Sequence, residues 1–246
     1  MRLTKEQKDF FEENGYLAIE NLVSSGLIEE MRKRIEELCD AWDSEEARRV
    51  GIMQEDEIEG ALATVKTEKT VRKFSGLVAY EPVFKRHAEN PEFLDVAEDL
   101  IGSPISLFAD QALLKPPLVG SEKMPHQDNA YFKVEPADAV VTCWCALDDA
   151  TLENGCMHYI PGSHKAGLVG HKEIPGTPHL VPDGFEKEKA VAVPIKTGGV
   201  IFHHSLTHHF SPDNKTAKWR RAFVVHIVRS DAKSSRNDPK ELPRLR

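Results

Sequence analysis

The sequence predicts an α+β chain, mainly β, with helices first and an antiparallel sandwich or barrel after them. Three observations carry this. Up to about residue 101, apolar residues recur at helical spacing among charges. Beyond Gly102 they come in short runs suited to strands. Those runs are broken by Pro116-Pro117, Glu153-Asn154-Gly155, Pro161-Gly162 and Gly198-Gly199, residues that turn a chain sharply. A length of 246 residues suits one core. A single domain over 1–229 is expected, with a helical part at 1–101, a β core at 102–229 and a polar tail at 230–246.

Each element has its own signal. Thr4 followed by Gln7 is a capping-box pattern that opens a helix over 4–14, anchored by Phe10 and Phe11. Gly15 to Ile19 reads as a short strand. From Ser24 or Ser25 to about Glu45, the spacing of Leu27, Ile28, Met31, Ile35 and Leu38 predicts an amphipathic helix. Residues 46–70 show no period and are expected to be loop with some helix. Asn90 as cap, Pro91 in the first turn and Gly102 past the end bracket another helix. Strands follow at 105–114, 138–148, 156–160, 189–195, 199–203 and 221–229. The last stretch, from Ser230, has few apolar residues and is expected to be a loose tail.

Composition narrows the partners. The 32 basic and 40 acidic residues leave a net charge of −8, which gives no general attraction to nucleic acid or anionic membrane. A small-molecule substrate is expected instead. No apolar run approaches the roughly 18–20 residues of a membrane span. Met1 to Glu6 is too polar for a secretory leader, so a cytoplasmic location is expected. Cys39, Cys143, Cys145 and Cys156 form no CxxC and read as buried free thiols. On a strand, Cys143 and Cys145 share one face and Trp144 takes the other.

The histidines carry the chemistry. His126-Gln127-Asp128 puts an imidazole and a carboxylate two residues apart, and in an extended segment both point the same way. A third ligand is needed, and His203, His204, His208, His209 and His226 cluster about 80 residues on. Two histidines and one carboxylate on one face of an octahedron leave three positions open. That suits non-haem Fe(II) with a chelating cosubstrate and O2. An HxD tripeptide by itself is common and weak.

Its context is specific. His208-His209-Phe210-Ser211-Pro212-Asp213-Asn214 is followed six residues later by Arg220. Asp148 to Cys156 and then Ile160-Pro161-Gly162-Ser163-His164 form a second motif, and Phe11-Glu12-Glu13-Asn14-Gly15-Tyr16 a third. In these motifs, over roughly residues 5–229, the chain resembles the phytanoyl-CoA dioxygenase family of Fe(II)/2-oxoglutarate oxygenases. The resemblance implies a double-stranded β-helix (jelly-roll, cupin-like) core with the N-terminal helices packed outside. It implies Fe(II) on His126, Asp128 and His209, with His208 the neighbouring rival for the third position. It implies 2-oxoglutarate held by Arg220 and Ser211, with Gln111, Trp144 and Lys73 along it, and Tyr131 beside the substrate. The implied reaction with O2 is hydroxylation of a small or medium organic molecule, releasing succinate and CO2.

Residue chemistry agrees with several of these roles. Arg220 offers a planar fork for a carboxylate, and its neighbour Arg221 better suits a surface charge. His226 reads as a satisfied core or surface histidine, His158 and His164 as structural, and one of His203 and His204 as a neighbour of the metal. Asp128 speaks against halogenation, for which related enzymes carry a small residue at that position. Lys165, His171 and Lys172 are few cations for the phosphates of a CoA ester. Two rivals stay open: a cupin-like metal-dependent isomerase or hydrolase, and a catalytically silent 2-oxoglutarate-binding protein.

Overall fold

The computed structural model describes residues 1–55, 67–175, 177 and 179–246. At the N-terminus Thr4 Oγ1 accepts from the Gln7 N–H and the Gln7 side chain accepts from the Thr4 N–H, closing the expected capping box on α1 (Lys5–Asn14). Gly15, at φ 78°, ends that helix and feeds β1 (Tyr16–Ile19). Helix α2 (Ser25–Asp40) buries Ile28, Met31, Ile35 and Leu38, the predicted face, and stops short of Glu45.

The region expected as loop, 46–70, contains one strand, β2 (Gly51–Gln54), and a second, β3 (Val71–Ser75), begins just past it, with residues outside the description between them. Both are too short for their alternation to be read from sequence. Helices α3 (Leu77–Tyr80) and α4 (Pro82–Ala88) follow, then α5 (Pro91–Ile101), capped by the Asn90 side chain as expected.

The β half begins with β4 (Ile105–Lys115) and β5 (Lys123–His126), then α6 (Asp128–Phe132) and β6 (Val134–Glu135). Next come β7 (Val140–Ala146), β8 (Met157–Tyr159), β9 (His171–Glu173) and β10 (Leu180–Pro182). The chain ends through β11 (Val191–Val193), β12 (Val200–His204), β13 (His209–Ser211), β14 (Arg220–Arg229) and β15 (Lys233–Ser234). All six predicted strands form.

Two antiparallel sheets make the double-stranded β-helix. The large one runs β1-β12-β7-β14-β4-β3-β2 and the small one β11-β8-β13-β5, and neither closes on itself. One face of the large sheet packs Cys143, Cys145, Phe202 and Phe223 against Met31, Phe84 and Phe93 of the helices. Its other face turns Trp144, Ala222 and Val224 toward Tyr159 and Met157 of the small sheet. Strand alternation therefore puts the two thiols on the helix side and Trp144 inside, and all four cysteines are free and buried.

The expectation of a loose tail is corrected. β15 pairs with β6, and the Leu107 N–H donates to Pro243 O at 2.9 Å. The Ile105 N–H bonds Arg246 O at 2.9 Å, while the Arg246 guanidinium pairs with Asp95 at 2.6 Å. Leu242 packs on the cluster around Phe108 and Phe132. This segment attaches through its backbone and ion pairs, which a scan for apolar residues does not register.

Candidate active site

β5 and β13 are paired so that His126 lies directly opposite His209, with ring centroids 4.1 Å apart. Asp128 has already left the strand and opens α6, so its approach comes from the turn at Gln127 rather than from strand alternation. Its Oδ1 lies 3.5 Å from His126 Nε2 and 3.6 Å from His209 Nε2. One ligand atom from each of the three lies within 4.8 Å of the others, and all three residues are buried. His208 points the other way, toward Phe185, and its N–H donates to Ser163 Oγ.

The two imidazoles are held in one tautomer. His126 Nδ1–H donates to Met124 O at 2.8 Å and His209 Nδ1–H to Thr207 O at 2.9 Å, which leaves both Nε2 lone pairs facing Asp128 Oδ1. Burial, and after it Lys123, lowers the His126 pKa. Burial, then His126 and His203, holds His209 well below the usual imidazole range. Both are therefore neutral, the form that binds metal. Burial pushes the Asp128 carboxyl up, but its other contacts, His203 Nε2 among them, outweigh it and keep the group ionised.

On the other sheet, Arg220 opens β14 opposite Lys115. Its side chain lies over the Trp144 ring, 5.5 Å from the centroid, and the residue is only 2% exposed. Its Nε has no hydrogen-bond partner, and among the described residues no carboxylate pairs with it. Arg221, by contrast, points to the other face of the sheet, toward Asp148 at 2.7 Å and Glu36 of α2, and is buried there rather than the surface charge expected. The Asn214 side chain ties Lys115 O, Pro116 O and Lys218 O together, which shapes the turn that delivers Arg220. Burial, and after it the Arg72 cation, pushes Arg220 down to about 9. A buried guanidinium without a counterion is costly, and an anion bound beside it removes that cost.

All nine residues singled out in the sequence line one cavity of about 750 Å³: His126, Asp128, His209, Arg220, Ser211, Gln111, Trp144, Lys73 and Tyr131. Its walls hold the two features an iron and 2-oxoglutarate site needs, a His-His-Asp donor set and an unmatched buried cation.

The phytanoyl-CoA dioxygenase family model matches residues 11–222. This chain belongs to that family. It is 31% identical over 256 residues to a phytanoyl-CoA dioxygenase of Arabidopsis thaliana, covering 93% of this chain and 90% of the relative. It is 30% identical to the peroxisomal phytanoyl-CoA dioxygenase of Homo sapiens, covering 93% and 69%. Among solved structures, SnoK, a non-haem alpha ketoglutarate dependent carbocyclase from nogalamycin biosynthesis, superposes with a TM-score of 0.71 at 26% identity, covering 94% of this chain and 85% of that one. As a phytanoyl-CoA dioxygenase family member, the chain is by class an Fe(II)- and 2-oxoglutarate-dependent oxygenase. Among the described residues no helix is long and apolar enough to cross a membrane.

Around the family's motif residues lies a layer of which sequence reading marked only one of His203 and His204. Asp128 Oδ2 accepts from Thr142 Oγ1–H at 2.5 Å and faces His203 Nε2 at 3.1 Å. Thr142 Oγ1 in turn faces His226 Nδ1 at 2.9 Å, and Gln111 lies beyond His226. Tyr159 OH meets His203 Nδ1 at 3.0 Å. The donors thus end on Oδ2 and leave Oδ1 for the histidine side. Thr142 and His226 are register partners across β7 and β14, a pairing that no local pattern encodes. Lys115 was also missed: its Nζ donates to Ser121 O and Ser211 O beside Arg220.

One prediction follows from the Oδ2 contacts. Thr142→Val keeps the shape and removes the donor, so the Fe(II) Kd is expected to rise roughly 10- to 100-fold, as for other partners that orient metal ligands. Anaerobic Fe(II) titration measures it, and an unchanged Kd would show that Asp128 needs no such support.

Proposed function

We propose that His126, Asp128 and His209 hold the Fe(II), and that Arg220 with Ser211 holds the distal carboxylate of 2-oxoglutarate. The reaction proposed is hydroxylation of a small or medium organic molecule, within one oxygenase domain over residues 1–229. The observation that carries it is the buried, unmatched Arg220 guanidinium in the same cavity as the His-His-Asp set. In a metal-dependent isomerase or hydrolase that cation would have no cosubstrate to hold.

Iron and 2-oxoglutarate supply the oxidising chemistry with O2, and the protein's share is geometry and exclusion of water. Neutral His126 and His209 present their Nε2 atoms, and Thr142 and His203 orient the carboxylate. Trp144 backs the guanidinium and fixes its plane. Gln111 and Lys73 stand along the cosubstrate, and Tyr131 borders the substrate, its OH accepting from the Leu180 N–H at 2.9 Å.

A free small molecule is favoured over a CoA ester because Lys165 pairs with Glu13 at 2.6 Å and Lys172 with Asp183 at 3.5 Å, so neither cation stands ready for phosphates. A reducing compartment such as the cytoplasm suits four unpaired thiols.

The test is anaerobic. Adding 2-oxoglutarate to the Fe(II)-loaded protein is expected to produce the weak visible charge-transfer band of the chelate. Fe(II) binding without that band would overturn the cosubstrate assignment.

A further inference from the structure

We propose that the substrate is a small carboxylic acid whose carboxylate is received by the Lys123 ammonium beside Tyr131. The inference rests on the oxygenase reading and extends it to the substrate's chemical class.

The cavity's charge is opposite to that of the chain. Among the described residues, Arg72, Lys73, Lys115, Lys123, Arg220 and Arg236 line it, against the carboxylates of Asp110 and Asp128, in a protein of net charge −8. Several of these cations are accounted for. Arg72 pairs with Glu55 at 3.0 Å, Lys115 is held by two carbonyl oxygens, and Arg220 serves the cosubstrate.

Lys123 is different. Among the described residues no carboxylate pairs with it; its Nζ lies 3.4 Å from His179 Nδ1 and 5.1 Å from the centroid of the Tyr131 ring. The Arg236 guanidinium donates to the main-chain carbonyl of Tyr131 at 3.1 Å, on the backbone side of that residue. The aromatic ring expected to border the substrate therefore has the Lys123 ammonium beside it.

Position separates this cation from the cosubstrate's. Lys123 stands three residues before His126 on β5, about 10 Å along the strand from the metal ligand. The Tyr131 ring lies between them, 5.9 Å from the His126 ring. An acid anchored at Lys123 would place a carbon a few bonds from its carboxylate near the metal. Phe108, Phe132 and Leu242 line the same cavity and offer an apolar wall for the body of such a molecule. A carboxylate, with one negative charge, suits a single ammonium better than a phosphate dianion does.

The experiment uses hexanoate, hexanamide and hexyl phosphate as probes on the Fe(II)-loaded protein, anaerobically and with 2-oxoglutarate saturating. The charge-transfer band must first form in wild type; if it does not, the oxygenase reading has failed and not this one. With the band present, hexanoate is expected to perturb it or raise the Tm at concentrations where hexanamide does neither. Lys123→Met should weaken hexanoate roughly 10- to 100-fold, the effect of losing one charge-assisted contact, and Lys123→Arg should restore most of it. The 2-oxoglutarate affinity should be the same in all three proteins. Equal binding of acid and amide, or no binding of hexanoate to wild type, would overturn the proposal. So would preference for hexyl phosphate, or an equal loss of 2-oxoglutarate affinity in Lys123→Met.

Discussion

Arg220→Met is expected to abolish the response to 2-oxoglutarate while leaving the unliganded protein at least as stable as wild type. The two effects have opposite signs because of one fact: the guanidinium is buried with no counterion among the described residues. In the unliganded protein that charge is a burden, and an apolar side chain of similar length relieves it. In the complex it makes a bidentate, charge-assisted pair with the distal carboxylate, and its loss should weaken 2-oxoglutarate by at least roughly 100-fold. Wild type at about 100 times the Kd gains about 2.7 kcal/mol from ligand, so its Tm should rise clearly on adding 2-oxoglutarate to Fe(II)-loaded protein. The variant's Tm should not move over the same range. If Arg220→Met instead lowers the Tm of the unliganded protein and leaves the 2-oxoglutarate shift intact, the guanidinium is structural. Arg221→Met is the informative contrast. That side chain is paired with Asp148 and Glu36, so its removal should destabilise the fold and spare the cosubstrate.

These two neighbouring arginines show what the sequence makes legible. Alternation along a strand sends Arg220 into the cavity and Arg221 to the helix side, and their opposite directions follow from local pattern once β14 is recognised, whereas the burial of Arg221 on Asp148 and Glu36 does not. His126, Asp128 and His209 are legible for a similar reason, since each belongs to a short motif with a fixed interval to its neighbours. Thr142 and the part played by His226 were not, because they depend on register between positions 84 residues apart, and for the metal's histidine neighbour the sequence left His203 and His204 open. His226 even reads correctly as a satisfied core histidine; that its hydrogen bond runs through Thr142 to Asp128 is invisible without the β7–β14 pairing. Lys123 escaped notice on a four-residue strand containing Pro125, below the length at which alternation can be counted. The fold shows the same division. Long periodic elements such as α2 and β14 were legible, whereas β2, β3 and the returning C-terminal segment are fixed by tertiary pairing.

His209→Ala is expected to eliminate Fe(II) binding at concentrations that saturate wild type, and His208→Ala to leave it nearly unchanged. The histidines are adjacent in sequence, so composition and the number of imidazoles are the same in both variants. Only their direction differs. His209 is the register partner of His126, and its Nε2 is aimed at Asp128 Oδ1 by a hydrogen bond from Nδ1 to Thr207 O. His208 lies on the opposite side against Phe185, with its Nε2 buried and unpartnered. Losing a ligand should cost more than the roughly 10- to 100-fold assigned to Thr142→Val, so the three variants should fall in a fixed order of Fe(II) affinity. Among the described residues His203 is placed to supply an internal rescue, because its ring centroid lies 4.4 Å from that of His209 and its Nε2 already contacts Asp128 Oδ2. If His209→Ala keeps appreciable Fe(II) affinity, the double variant His203→Ala/His209→Ala decides the matter. Loss of binding only in the double variant means that His203 can turn inward and substitute. Persistence in the double variant would mean that the metal does not sit between His126, Asp128 and His209 at all.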